Sequence, residues 1–160
     1  MKKRIAIMLC LAFVCCAGGC EKETAQSTEP SPETEGQEEE EEEEAVTMKL
    51  YINDTEVPVV WENNAAVEAL AAEAETGDIV VKMSMYGGNE QFGPLGKSYP
   101  ASNRQVTTSN GDIVLFNNDQ IVVFYGSNTW SYTRLGKMAL PEDEVTELLS
   151  NGDITLRLTR

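Results

Sequence analysis

Residues 21–45, EKETAQSTEPSPETEGQEEEEEEEA, contain no Leu, Ile, Val or aromatic residue. Such a segment cannot bury enough apolar surface to offset the entropy of ordering it, so it is expected to be disordered. This stretch can contribute nothing to a hydrophobic core. Seven consecutive glutamates, Glu38 to Glu44, repel one another and stretch the chain. At full extension the segment reaches roughly 85 Å, enough to hold a domain away from a surface. A divalent-cation sink is the alternative, but a flexible glutamate run offers no preformed oxygen cage.

Charge follows the same division. The chain carries a net charge of −15, and residues 21–45 hold twelve Glu against one Lys. Residues 46–160 hold fifteen acids against eight bases. No cluster of Lys and Arg is available to neutralise phosphates, so nucleic acid is set aside as a partner. All four cysteines, Cys10, Cys15, Cys16 and Cys20, precede the acidic stretch. The rest of the chain can therefore form neither a disulfide framework nor a thiolate metal site. Histidine is absent, which removes the usual general base at neutral pH and the commonest metal ligand. A hydrolase built on a histidine-containing triad is excluded, and no metal site or cofactor is indicated.

The first residues carry an address. Lys2, Lys3 and Arg4 precede thirteen apolar residues, IAIMLCLAFVCCA, too few for a membrane span of about 20. A basic start, a short apolar core and small residues describe a secretory signal. Ala17-Gly18-Gly19-Cys20 resembles the lipobox of bacterial lipoproteins, with Ala17 where that family usually places Leu. The resemblance implies cleavage before Cys20 after acylation of its thiol, and two acyl chains anchor stably where one is marginal. The alternative is an ordinary cleaved signal in which Cys20 is incidental. The layout read from the sequence is a lipoprotein signal peptide over 1–19, a disordered Glu-rich tether over 20–46 and a folded domain over 47–160. The domain is placed on the extracytoplasmic side of the cell membrane, lipid-anchored through Cys20.

From Met48 the texture changes to short apolar runs separated by turn residues. KLYIN and EVPVVW flank Asn53-Asp54, a hairpin signal. Residues 63–75 read as a helix capped by Asn63 or Asn64, with Val67, Leu70, Ala71 and Ala74 as its apolar stripe and Gly77 as its stop. DIVVKMSMY, residues 78–86, reads as one strand with Val81, Met83 and Met85 on one face. DIVLF and QIVVFY form a second hairpin around Asn117-Asn118-Asp119. Pro141 starts a short helix with acids at its positive end, Val145, Leu148 and Leu149 facing inward and Gly152 ending it. ITLRL, residues 154–158, alternates strictly. Seven or eight strands with one longer and one short helix predict a mainly β fold, a compact barrel or sandwich. Residues 86–108 carry four glycines and two prolines and read as a long loop, the kind of segment where ligand contacts concentrate.

Several of these runs resemble the small bacterial cyclophilin-like domain: MKLYIND at 48–54, NNAAVEAL at 63–70, GPLGKSYP at 93–100, GDIVLFNNDQIVVFYG at 111–126 and SYTRLGKM at 131–138. The resemblance implies a closed β-barrel with helices over its ends. It transfers activity poorly. True cyclophilins accelerate rotation about X-Pro bonds, and their groove combines an arginine with Phe, Met, Gln, Trp and His. This chain has no histidine and no Phe-His-Arg segment to supply that arginine.

SNTWSYTRLGK, residues 127–137, concentrates the polar and aromatic candidates. Spaced by two in a strand, Trp130, Tyr132 and Arg134 share one face, and Ser131 and Thr133 the other, before a turn at Leu135-Gly136. One reading places Trp130 and Tyr132 at a barrel rim with Arg134 paired to a carboxylate or loop carbonyls. The other makes Arg134 the polar anchor of a shallow pocket walled by Tyr132, Tyr86 and Phe92, since its planar fork binds carboxylate or carbonyl oxygens bidentately. Glu90-Gln91-Phe92 could contribute from the loop. The candidate ligand-binding set is therefore Arg134, Tyr132, Trp130, Tyr86, Gln91 and Phe92, with no catalytic residue assigned. A non-catalytic module binding a peptide or small molecule is the expected function. A peptidyl-prolyl isomerase acting on secreted or wall-bound proteins is the alternative, and a purely structural or interaction protein is a third reading.

Overall fold

The computed structural model describes residues 47–160. The expected signal segment, the expected lipidation residue Cys20 and the expected acidic tether lie outside the described residues. The chain opens with the hairpin β1 (Lys49–Ile52) and β2 (Thr55–Val57). Its two-residue turn needs positive φ at both positions, and Asn53 (47°) and Asp54 (66°) are among the residues that tolerate it. Asn53 also ties the turn down, its Oδ1 accepting from Thr155 N at 2.8 Å.

Pro58 splits EVPVVW. It has no N–H to donate to a ladder, and the run divides into β2 and β3 (Val59–Trp61). Helix α1 (Ala65–Ala74) follows, capped by Asn64, whose Oδ1 accepts from Ala66 N at 3.1 Å and Val67 N at 3.2 Å. The same side chain donates from Nδ2 to Arg134 O at 2.9 Å, joining cap to sheet. A cap of this kind contributes about 1 kcal/mol. Val67, Leu70, Ala71 and Ala74 are buried, as their spacing requires, together with Ala66. The expected stop at Gly77 is not a left-handed cap. Thr76 closes the end through its N–H and Oγ1, both on Glu73 O.

DIVVKMSMY is also two strands, β4 (Ile79–Lys82) and β5 (Ser84–Tyr86), separated by Met83. Met83 is buried while Met85 is exposed, because the corner turns the chain from one sheet to the other and ends the expected alternation. The stretch read as a long loop contains β6 (Glu90–Pro94) and β7 (Arg104–Thr107). Next come β8 (Asp112–Phe116), β9 (Gln120–Phe124) and the ten-residue β10 (Thr129–Met138). Helix α2 (Glu142–Leu149) and β11 (Thr155–Thr159) complete the fold. In α2, Val145 and Leu149 are buried and Leu148 packs beside them half-buried.

The strands form a four-stranded sheet in the order β2-β1-β11-β4 and a seven-stranded one in the order β3-β10-β8-β9-β6-β5, with β7 added on β10. All pairings are antiparallel. The closed barrel expected from the resemblance is not formed: neither sheet closes on itself among the described residues. The edge strands β2 and β4 instead run directly into β3 and β5, edge strands of the other sheet. Pro58 and Met83 are the two corners. Met83 N still donates to Ile154 O at 2.9 Å on the first sheet, so the change of sheet falls within one residue. Gly93 makes the second corner possible. A Cβ there would stand 2.5 Å from Val81 Cγ1 and 2.7 Å from Lys82 O.

The larger core lies between the sheets and under α1. It takes Leu50, Ile52, Leu70, Ile113, Leu115, Ile121, Leu135, Leu156 and Leu158, all fully buried. A second, smaller cluster joins Val106, Val114, Val122, Phe124 and Tyr132. In β8 and β9 the two clusters alternate residue by residue, so the second occupies the opposite face of the seven-stranded sheet.

Candidate functional site

β10 does not run regularly along β8. Arg134 pairs with Val114 but Gly136 with Ile113, so Leu135 is the extra residue of a bulge. The turn expected at Leu135-Gly136 is this bulge, and the strand continues to Met138. Gly136 fits because a Cβ would meet Val60 O at 2.7 Å across the β3 pairing. A bulge resets the alternation of side chains. Arg134 and Lys137, three residues apart, both reach Asp112. Arg134 Nη1 lies 3.2 Å from Asp112 Oδ2 and Lys137 Nζ lies 2.9 Å from Oδ1. Asp112 is buried, and Ser109 N donates to its Oδ2 at 2.9 Å. Arg134 Nη2 also donates to Thr107 O at 3.3 Å.

Arg134 is thus engaged with a buried carboxylate and a strand carbonyl, and it does not line the neighbouring pocket. The role of polar anchor is corrected in favour of the other reading, pairing within the fold. Gln91 is corrected too. In β6 it points into the domain, fully buried, with Nε2 donating to Leu149 O and Gly152 O at 2.7 Å each. It satisfies the carbonyl of Leu149, the last residue of α2, and that of Gly152 in the turn beyond it. Neither residue could be placed from sequence, because one depended on a bulge and the other on β6 being a strand.

The remaining candidates do come together. Tyr86, Phe92, Trp130 and Tyr132 line a cavity of about 340 Å³ on the outer face of the seven-stranded sheet. That volume lies in the ~300–1,000 Å³ range of small-molecule sites. Tyr86 and Phe92, from β5 and β6, meet edge to face with centroids 5.8 Å apart. Across from them Tyr132 packs edge-on against Phe116 at 5.9 Å and against Phe124 at 5.8 Å. Such geometry suits the ring quadrupoles and fixes the rings that form the walls. Val122 and Gln120 of β9 complete the apolar floor and one end. Tyr86 and Trp130 are 65% and 59% exposed, so the lips of the cavity are aromatic and open to solvent.

Two polar groups are built into this surface. Tyr132 OH accepts from Asn128 Nδ2 at 3.0 Å. Asn128 is itself held by Thr108, with Asn128 N donating to Thr108 Oγ1 at 2.9 Å and Thr108 N to Asn128 O at 2.8 Å. Burial, with Glu90 nearby, pushes the Tyr132 phenol above its ordinary value, partly offset by the Asn128 bond. The second group is Glu90 itself. Its Oε2 is shut from solvent and meets no donor. Burial raises the carboxyl above the usual glutamate range. No Lys or Arg lines the cavity.

Phe116, Gln120, Val122 and Asn128 also line the cavity, outside the set expected from the sequence. A signal for three of them was present. DIVLF and QIVVF are apolar on both faces, which requires cover on both sides of the sheet. That pattern announces a second apolar surface without saying what leaves it partly open. Among the described residues no group of three or more His, Cys, Asp or Glu side chains is arranged to hold a metal ion.

Residues 50–159 match the family described as the Cyclophilin-like family. No curated protein and no solved structure gives a significant match. The matched segment spans both sheets, both helices and every residue of the cavity, well over half of the 160-residue chain. The chain therefore belongs to the cyclophilin-like family.

Proposed function

We propose that this protein is a lipid-anchored extracytoplasmic lipoprotein whose cyclophilin-like domain binds a peptide or small molecule without transforming it. The observation that carries the binding role is the cavity on the outer sheet face. It is a concave, aromatic surface with few polar groups, the general make-up of a ligand site. Its lining holds no Ser, Thr, Cys, Lys, Arg or His. A nucleophile with an adjacent base, or a cation to stabilise a developing charge, would have to come from elsewhere. The basic, apolar and small residues before Cys20 support the anchoring, and the glutamate-rich stretch supports a spacer between membrane and domain.

Binding is tested by screening a library of short peptides and small amines, acids and alcohols against the full chain by ligand-observed NMR. Hits must compete with one another and lose affinity in Trp130→Ala. A screen whose hits all survive that substitution removes the cavity from consideration. Family membership also favours assaying rotation about X-Pro bonds, whose barrier is of the same order as the ~18–20 kcal/mol of ordinary peptide bonds. A protease-coupled proline-peptide assay with Arg134→Ala and Arg104→Ala controls reads that activity directly. The binding-module reading expects no rate above background.

A further inference from the structure

Resting on the binding role proposed above, we infer that the cavity selects an organic ammonium group, held between the Glu90 carboxylate and the aromatic lip formed by Tyr86 and Trp130. Two observations converge on this chemistry, and the absence of a basic lining residue follows from the first. Glu90 is the only ionisable side chain in the lining other than the tyrosines. Its Oε2 is buried without a donor, although buried carboxylates are ordinarily paired or hydrogen-bonded. No Lys or Arg side chain lines the cavity to serve as its counter-ion.

The aromatic residues supply the rest. Tyr86 and Trp130 are exposed at the entrance, and Phe92 and Tyr132 are braced by edge-to-face contacts. A cation over the face of such rings is attracted by their quadrupoles, most strongly over tryptophan. An anionic ligand would meet both the carboxylate and the negative ring faces. A neutral apolar ligand would fill the cavity but leave Glu90 unpaired in a drier environment than before. An alkylammonium group fits both walls, its carbon atoms against the rings and its charge against the carboxylate. The domain's excess of acids over bases, fifteen against eight, adds a field of the same sign.

The ammonium could belong to a lysine side chain of a peptide or to a free small cation, and matched probes separate the two. N-acetyl-lysine methylamide is compared with N-acetyl-norleucine methylamide, and choline with its neutral carbon analogue 3,3-dimethylbutan-1-ol. Affinities are measured by calorimetry on the full chain, and the contact is mapped by amide and indole shifts in NMR. The cation of at least one pair should bind about tenfold or more tighter than its neutral partner, shifting the Trp130 indole and the β6 amides. Glu90→Gln should cut the ratio of cation to neutral affinity about fivefold or more, and Trp130→Ala should weaken the cation roughly fivefold. The shift map on the unaltered protein keeps the test valid if a variant folds poorly. Cations and neutral analogues binding equally at Trp130 would overturn the ammonium assignment and leave the binding site standing. No binding of any probe at Trp130 would count against both.

Discussion

Replacing Arg134 separates the two roles that its sequence position allows. The guanidinium spans two acceptors, Asp112 Oδ2 at 3.2 Å and Thr107 O at 3.3 Å, while its side chain remains 39% exposed. A hydrogen bond to a charged group contributes about 1.5–3 kcal/mol, and solvent screening of a partly exposed cation reduces it. Arg134→Ala does not leave Asp112 bare, because Lys137 Nζ at 2.9 Å and Ser109 N at 2.9 Å remain. The expected loss is therefore about 1–2 kcal/mol, short of the ~3–5 kcal/mol of an orphaned buried charge. For a domain of this size that lowers the thermal midpoint by roughly 3–12 °C. Lys137→Ala should behave alike. The double variant should exceed the sum by about 1 kcal/mol or more, since Asp112 then loses both cations. Denaturant unfolding of the four proteins gives the cycle, and calorimetry with the ammonium probes gives their affinities. Affinity should stay within about twofold throughout, because neither cation lines the cavity. Unchanged stability with lost affinity in Arg134→Ala would refute the assignment of this arginine to the fold.

Four further outcomes are expected. Gly93→Ala should destabilise by about 2–3 kcal/mol, since a Cβ 2.7 Å from Lys82 O meets backbone that cannot swing aside. Gly77→Ala, with nothing within 4 Å of the new carbon and no positive φ, should be neutral or slightly stabilising in the same unfolding assay. Glu90→Gln should raise the thermal midpoint at neutral pH. The folded carboxyl titrates above its unfolded value, so stability falls as pH rises from the ordinary glutamate range through that raised pKa, and the penalty is complete above it. The difference should vanish as pH falls below the ordinary glutamate range, and a midpoint gain independent of pH would contradict it. Globomycin treatment or Cys20→Ala should leave precursor or released protein, read by mass and membrane fractionation; unchanged processing and retention would dismiss lipidation at that residue.

Local structure was legible wherever one residue type decided it. Asn53-Asp54 and Asn117-Asn118 tolerate the positive φ that their turns adopt, and Asn64 caps α1. The stripe Val67, Leu70, Ala71, Ala74 needed only the period of a helix to be placed inside. Of the six candidate ligand-binding residues, the four aromatic ones share the cavity because each lies on the outer face of its own strand. β6 carries no strand signal in the sequence, because Gln91 and Gly93 occupy its inner positions in place of apolar side chains.

Local residue pattern dictates the segregation of apolar residues away from 21–45, the turns, the helix stripe and the two-faced apolar strands, because each follows from entropy, φ tolerance or periodicity within a few residues. Tertiary structure alone decided the rest. Corners at Pro58 and Met83 replaced barrel closure with two sheets. The bulge at Leu135 turned Arg134 and Lys137 to the same buried aspartate. Strand order placed Glu90 among rings contributed from positions 86 to 132. Register and strand order are set by pairings between residues far apart in the chain, and no local pattern encodes which partner an edge will meet.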